Sequence, residues 1–442
     1  MINEKVGSVK KLSLPRNYAE EAGMTEEEWK AATKFNSTDF GWVIMCIGMA
    51  IGAGIVFLPV QVGRVGIWVY LFSGLIGYPA LWLSQRLYIN TLVVSPKCES
   101  YPSIISDYLG KNWGLILGFV YFLMLIKAIF TYSIACTNDS ATFLHSFGVT
   151  STNLGRTPLY GLAVICILVA LASQGEKFLF KIASGMVITK LSVIVVLAFI
   201  MMQHWSVANI VNFPNFGYLI KQAIIMMPFT ITSILFVQCL SPMVISYRTH
   251  NDSIVLAKYK AIRAMNIAYT ILFISVFFYA ISFNFAMSQQ QAIAAYNQNI
   301  SALAMVAQGI PGNTVKVFSL ILNIFAIMTA FFGAFLGFRE ALQGLIMNIL
   351  HRILPEEKIN KTMVKYGIFA VAILLPWYVI LINFSIVKFI IIFGPIYGLV
   401  NCLIPTYLVY KVPFLAKFKH ASLALVVLAG CMLVAAPLLA FL

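Results

Sequence analysis

Charge is scarce in this chain. Asp, Glu, Lys and Arg together make up 10% of its 442 residues, where soluble proteins carry about 25%. A soluble globular domain is excluded on that ground. Acidic residues are the scarcer kind, 15 against 30 Lys and Arg, and within the spans they do not cluster. An integral-membrane enzyme needs converging titratable groups, so this argues against one. His145, His204, His250, His351 and His420 fall at helix ends or in loops without metal-ligand spacing, so no metal site is expected. The 7 cysteines are scattered with no C-x-x-C pair and read as small packing residues. No phosphate-binding glycine loop is present, which excludes direct drive by ATP, and no cofactor is called for. No ten-residue alternation suggests a β-barrel. The first 35 or so residues are polar, with Glu26, Glu27, Glu28 and Lys30. A cleavable signal peptide is therefore not expected, and the first span itself must direct insertion.

What is abundant is apolar sequence, at 61% of the residues. Runs of 18 or more recur along nearly the whole length, which predicts an all-α polytopic membrane protein. Eleven spans are read: 40–62, 67–91, 113–146, 157–173, 178–203, 221–247, 263–287, 314–349, 363–383, 388–410 and 420–441. With the N-terminus in the cytoplasm, 23 Lys and Arg fall on the cytoplasmic side and 5 outside, leaving Lys127 and Lys190 within spans. That bias predicts a cytoplasmic N-terminus and a periplasmic C-terminus. The net charge of +15 then reflects orientation and contact with an anionic leaflet. No soluble basic domain exists to bind nucleic acid.

Residues 1–39 form a tail, followed by one membrane domain over 40–442. Thr25 to Glu28 reads as a capping box that opens a short helix to about Lys34. Asp39 can cap the first span. Ser103 to Leu109 has an amphipathic helical pattern. The loop near 288–313 ends at the turn signal Pro311-Gly312, and it is the one outer segment large enough for a lid.

Helix breakers cluster twice. The first cluster, GMAIGAGIVFLPV, runs from Gly48 to Val60, and the second, PFTITSILFVQCLSPM, from Pro228 to Met243. Glycine costs a helix interior about 1 kcal/mol and proline about 3. The clusters lie five spans apart, so their helices cross in opposite directions. Interrupted helices in corresponding places of two inverted halves point to a transporter binding site. An unwound turn is tolerated in a membrane where it lines a cavity. Freed N–H groups at Gly52, Ala53, Gly54 and Ile55 can hold a carboxylate, helped by the helix dipole. Glycines let the ligand approach the backbone. Carbonyls near Ala50 and Ile51 can take an ammonium. The two features together suit a zwitterion such as an α-amino acid.

GMAIGAGIVFLP resembles the first-span motif of the amino acid–polyamine–organocation superfamily. More narrowly, it is similar to the hydroxy/aromatic amino acid permease family, serine/threonine branch. TYSIACTNDSATF (131–143), QCLSPMVISY (238–247), FFGAFLGFREALQG (331–344) and FGPIYG (393–398) carry the same likeness, which covers about 36–442. The resemblance implies the leucine-transporter fold. That is a 5+5 inverted repeat (40–203 and 221–410) with broken helices 1 and 6, plus an eleventh helix at 420–441. It also implies inner-membrane uptake of a small amino acid with a cation, usually the proton, and no obligate protein partner. By position, the carboxylate site falls on Ile51 to Ile55 and the unwound part of span six near Gln238 to Pro242. Phe236, Gln238 and Ser241 would then stand at the site. Span three would contribute from Tyr132 to Asn138, and span eight near Thr329.

Two lysines lie at membrane depth, where a charge costs about 2.5–3.5 kcal/mol on insertion scales and is functional by default. In sodium-coupled relatives of this fold the ion sits between spans one and eight beside span five. Lys190 in span five could take its place and carry the transported proton, or it could bond span-one carbonyls as a purely structural group. Lys127 reads first as structural. Asp139 could serve an outer gate or a proton path. Arg339 and Glu340 form a gating pair or an ordinary interfacial one. The named side chains are small or polar, which suggests serine, then threonine or cysteine. An aromatic substrate, sodium coupling, or a channel or sensor on the same scaffold are the alternatives.

Overall fold

The computed structural model describes residues 18–442 apart from 96–97, 99–104, 106, 175, 211, 252, 310–312 and 354–359. Among the described residues the regular structure is helical. Eight helices are long and apolar enough to cross a bilayer, two further bent pairs qualify as single spans, and Pro158–Ala172 is a shorter apolar helix. Ten of the eleven expected spans thus qualify by length and composition, and Pro158–Ala172 stands where the fourth was expected. Of the run Ser103 to Leu109, residues 103, 104 and 106 lie outside the described residues and the others are helical; Pro311-Gly312 and the Glu340 side chain also lie outside them.

The tail helix Glu26–Ala32 starts as read, with Thr25 and Glu28 closing a reciprocal capping box. The first span differs in detail. Its N-cap is Asn36, and Asp39 is the third helical residue, which bonds back to the Asn36 N–H at 3.0 Å. Asp39 is fully buried. It also accepts from Tyr247 at 2.7 Å and pairs with Arg263 at 2.8 Å. Arg263 further donates to the Thr33 carbonyl. One carboxylate thus ties the start of span one to the end of span six and the start of span seven.

Span one is two helices, Ser37–Ala50 and Ala53–Val65, bent by 47° at the break. Span six is Phe216–Thr232 and Val237–His250, interrupted over 233–236. The sequence placed that interruption at Gln238 to Pro242. In the structure Gln238 lies in the first turn of the second half, and Pro242 sits inside the helix. Proline removes one hydrogen bond, but tertiary contacts decide whether the chain unwinds there. Those contacts favour the earlier position. Thr230 bonds Ser73 of span two at 2.9 Å, and Ser233 turns back to the Thr230 carbonyl at 2.8 Å.

Span two (Ile67–Val93) packs along the first half of span six and along span seven (Ile254–Ala286). Trp82 Nε1 to Asn266 at 2.8 Å and Tyr269 to the Tyr78 carbonyl at 2.7 Å fasten that group. Span three (Lys111–Ser146) packs along span eight (Asn313–Ile353), with Phe122 stacked on Phe338 at 5.9 Å. Span five (Glu176–Met202) lies against span eight, span seven and the first half of span one.

Span ten carries a bend the sequence did not announce. Ile386–Ile392 and Gly394–Lys411 meet at 41°, and Gly398–Leu403 is wound as a π-helix. Its FGPIYG motif serves close packing. A Cβ on Gly394 would lie 2.9 Å from the Leu433 carbonyl oxygen, and one on Gly398 would lie 2.8 Å from that of Gly430. Small residues four apart let the backbones of spans ten and eleven (Leu423–Phe441) touch.

Candidate functional site

The break in span one frees backbone groups at mid-membrane, and each is accounted for by what it meets. In an unbroken helix the Gly48 carbonyl would accept from Gly52 and the Ile51 carbonyl from Ile55. Here the Ile55 N–H turns to Gly52 at 3.1 Å. Both freed carbonyls go instead to one side chain. Lys190 Nζ, from span five, donates to Gly48 O at 3.1 Å, Ile51 O at 3.0 Å and Thr329 Oγ1 at 2.8 Å. Thr329 itself donates to the Phe325 carbonyl at 2.6 Å, so its oxygen is free to accept. An ammonium has three donors, and all three are used. Lys190 is fully buried. The sequence expected Lys190, span-one carbonyls and Thr329 to meet, and the structure brings them together.

The Ile51 carbonyl accepts from Lys190 and keeps a second lone pair. One expected assignment changes. The Ile55 N–H is spent within its own helix, so it is not open to a carboxylate. Among the described contacts the Gly52 and Gly54 N–H groups have no protein partner.

Beside the break lies a cavity of about 110 Å³. Ala50, Gly52 and Gly54 line it from span one, Tyr132 from span three, and Thr232 and Gln238 from either side of the span-six break. Gly333 and Ala334 of span eight and Tyr121 of span three continue it towards the membrane face that carries the N-terminus. Met49 and Tyr121 are 36% and 39% exposed at that end.

The glycines of the motif do more than admit a ligand. A Cβ on Gly54 would sit 2.6 Å from the Thr232 carbonyl oxygen, and one on Gly52 3.0 Å from the Tyr132 hydroxyl. Gly54 is where the two broken helices cross in backbone contact, a reason the sequence reading did not contain.

Several expected site residues stand apart from the cavity lining. Ser241 bonds Tyr88 at 2.7 Å, and Asn138 donates to the Asn299 carbonyl at 3.2 Å. Phe236 caps the second half of span six and is fully buried. Ile51 and Ile55 are not among the lining residues, and the Ala53 side chain lies outside the described residues. Conversely, Lys127, Thr131 and Tyr397 line the cavity and were not assigned to the site from sequence. The period of span three puts Lys127 and Thr131 on one face, one turn apart; Tyr397, on span ten, had no such signal.

Asp139 does not join the Lys190 cluster. It accepts from the Ser301 N–H at 2.9 Å and from Asn323 Nδ2 at 2.5 Å. Ser301 lies in the segment after Gln289–Gln298 that closes the face opposite the N-terminus. The same segment is held by Asn299, which bonds the Phe384 carbonyl and the Ile386 N–H, each at 2.9 Å. On span one, Gln289 donates to the Arg64 carbonyl at 3.0 Å, and Arg64 stacks over Tyr296 at 4.5 Å. The expected lid segment is thus fastened to spans one, three and eight.

Comparison with known proteins accords with this architecture. A "Probable serine transporter" of Escherichia coli K12 is 60% identical over 423 residues, covering 95% of this chain and 96% of that protein. "Serine transporter SdaC" of the same organism is 25% identical over 424 residues, covering 91% and 94%. Among solved structures, MhsT in complex with L-phenylalanine superposes with a TM-score of 0.52 at 12% identity, covering 91% of this chain and 97% of that one. The chain therefore has the leucine-transporter fold. The tryptophan/tyrosine permease family profile matches residues 36–440. The chain belongs to that family: it is a multi-pass amino acid transporter and not an enzyme.

Proposed function

We propose that this transporter imports a small polar amino acid, serine first, by symport with a proton. The membrane would be the bacterial inner membrane, with the N-terminus in the cytoplasm and the C-terminus in the periplasm. The observation that carries the substrate reading is the cavity itself. Its roughly 110 Å³ is small beside the roughly 300–1,000 Å³ of pockets for drug-sized ligands. Its walls combine the unpartnered Gly52 and Gly54 N–H groups with Thr131, Tyr132, Thr232 and Gln238. A carboxylate at the start of the second half of span one meets N–H groups and the positive end of a helix dipole. The Ala50 region and the carbonyls that end the first half of span six face it with acceptors for an ammonium. Serine is also the substrate that the names of the two relatives above carry.

The proton would ride on Lys190. As an ammonium it satisfies Gly48, Ile51 and Thr329 together and holds the break in the shape that lines the cavity. As an amine it has one donor fewer, and one acceptor goes unmet. Substrate and proton would then favour the same arrangement of span one, which is what coupling requires. The opposite-face lid is shut through Asp139, Asn299 and Arg64, and the cavity leans towards the N-terminal face. In this orientation that arrangement precedes release into the cytoplasm.

The test is uptake of radiolabelled serine into proteoliposomes with the outside acidified, competed by each of the twenty amino acids and by serine methyl ester. Serine, threonine and cysteine should compete best, and the ester, which lacks the carboxylate charge, poorly. Strong competition by tryptophan or tyrosine, or by the ester, would overturn the substrate reading. Uptake that follows a sodium gradient and ignores pH would overturn the coupling.

A further inference from the structure

The two buried lysines are treated in opposite ways by the protein. All three donors of Lys190 are claimed by protein oxygens. Lys127 is also buried, at 7% exposure, yet its one described hydrogen bond is a long 3.5 Å contact to the Tyr397 hydroxyl. Its ammonium also lies 5.5 Å from the Tyr397 ring centre. Among the described residues no carboxylate pairs with it; the ion pair Arg263–Asp39 belongs to the far end of span one. A buried ammonium left without acceptors is costly. Lys127 is also part of the wall of the cavity, with Thr131 one helical turn further along and Tyr397 across from it.

We propose that Lys127 determines substrate specificity by donating to the side-chain oxygen of the bound amino acid, with Tyr397 and Thr131 completing that subsite. This rests on the amino acid uptake reading above and deepens it. Among the described residues no acceptor lies within normal hydrogen-bond distance of Lys127, and a bound ligand can supply one. Its carboxylate goes to the N–H groups of Gly52 and Gly54, and its own ammonium is repelled by Lys127. The side chain is what remains to face the lysine. An oxygen there accepts from the ammonium, a methyl group leaves it unpaired, and a second cation repels it. The subsite therefore selects a β-hydroxy amino acid over alanine and excludes a cationic side chain of the same length.

KM and kcat for serine and alanine would be measured on the full chain in proteoliposomes, wild type against Lys127→Met and Lys127→Gln. The wild type should prefer serine by about ten- to a hundredfold in KM, the span of one hydrogen bond to a charged donor. In Lys127→Met that ratio should collapse towards one. Lys127→Gln keeps a neutral donor and should restore part of it. Equal losses for both substrates would mean that Lys127 is structural or binds the carboxylate, and would overturn the inference while leaving the uptake reading intact. If Lys127→Met fails to assemble, competition on the wild type decides. 2,3-Diaminopropionate, serine with a cationic amine for its hydroxyl, should fail to compete, and competition equal to serine's would overturn the inference. Absence of any amino acid uptake by the wild type would overturn the underlying reading instead.

Discussion

Replacing Lys190 by methionine tests the coupling reading most directly. The substitution keeps a long unbranched side chain and removes the charge, so the site stays filled. What it removes is specific: hydrogen bonds at 3.1, 3.0 and 2.8 Å to Gly48, Ile51 and Thr329. Thr329 keeps its bond to Phe325. The two carbonyls are left without donors, at about 1–3 kcal/mol each, or roughly 2–6 kcal/mol against the arrangement described. The functional consequence can be read on a second scale. One pH unit is about 1.36 kcal/mol, so an imposed gradient of two units supports roughly hundredfold accumulation for one proton per substrate. Wild-type proteoliposomes should approach that value, and Lys190→Met should not rise above equilibration. Exchange of internal for external serine should persist in the variant, showing that the carrier still binds and turns over. Thr329→Val should behave in between, because it removes one acceptor and leaves the lysine. Lys190→Met that still accumulates serine near hundredfold under the same gradient would refute the reasoning.

Gly54→Ala should lower thermal stability in detergent and reduce uptake more than tenfold. Its Cβ would meet the Thr232 carbonyl at 2.6 Å, and overpacking costs about 1–3 kcal/mol. Gly185→Ala, where no atom lies within 4 Å, is the control, and equal behaviour of the two would end the close-approach argument. Asp39→Ala should destabilise the fold by about 3 kcal/mol, the low end for breaking a buried pair, because the Arg263 side chain keeps 21% of its surface exposed. A double-mutant cycle with Arg263→Met should return a coupling above about 1 kcal/mol, and a coupling near zero would show that the pair contributes nothing.

Much of the architecture was legible in the chain because lipid imposes one demand everywhere. Backbone polar groups in hydrocarbon must be bonded internally, so each span announces itself as an apolar run of sufficient length. The capping box at Thr25 and Glu28 was legible for a similar reason, since its partners lie three residues apart. The break in span one could be read because Gly48, Gly52 and Gly54 concentrate in so few positions. The break in span six was read five to six residues late. Pro242 weakens the helix locally, but Ser73 and the approach of Gly54 lie far away in sequence and settle where it opens.

The candidate site divides along the same line. Sequence alone determined that a lysine stands at depth in span five and that span one is interrupted. Composition and spacing did not determine that the lysine meets the interruption; the family resemblance implied it, and it required span five to pack against the first half of span one. Asn138 and Ser241 are polar at suitable depth, yet they bond Asn299 and Tyr88, partners that only folding supplies. Lys127 and Lys190 look alike in the sequence, each a single charge in an apolar run. The sequence reading set Lys190 apart for coupling and took Lys127 first as structural; tertiary structure surrounded the one with three acceptors and turned the other to the cavity wall. The physical reason is that a span's composition reports its cost in lipid, whereas a side chain's role depends on which helix its face meets.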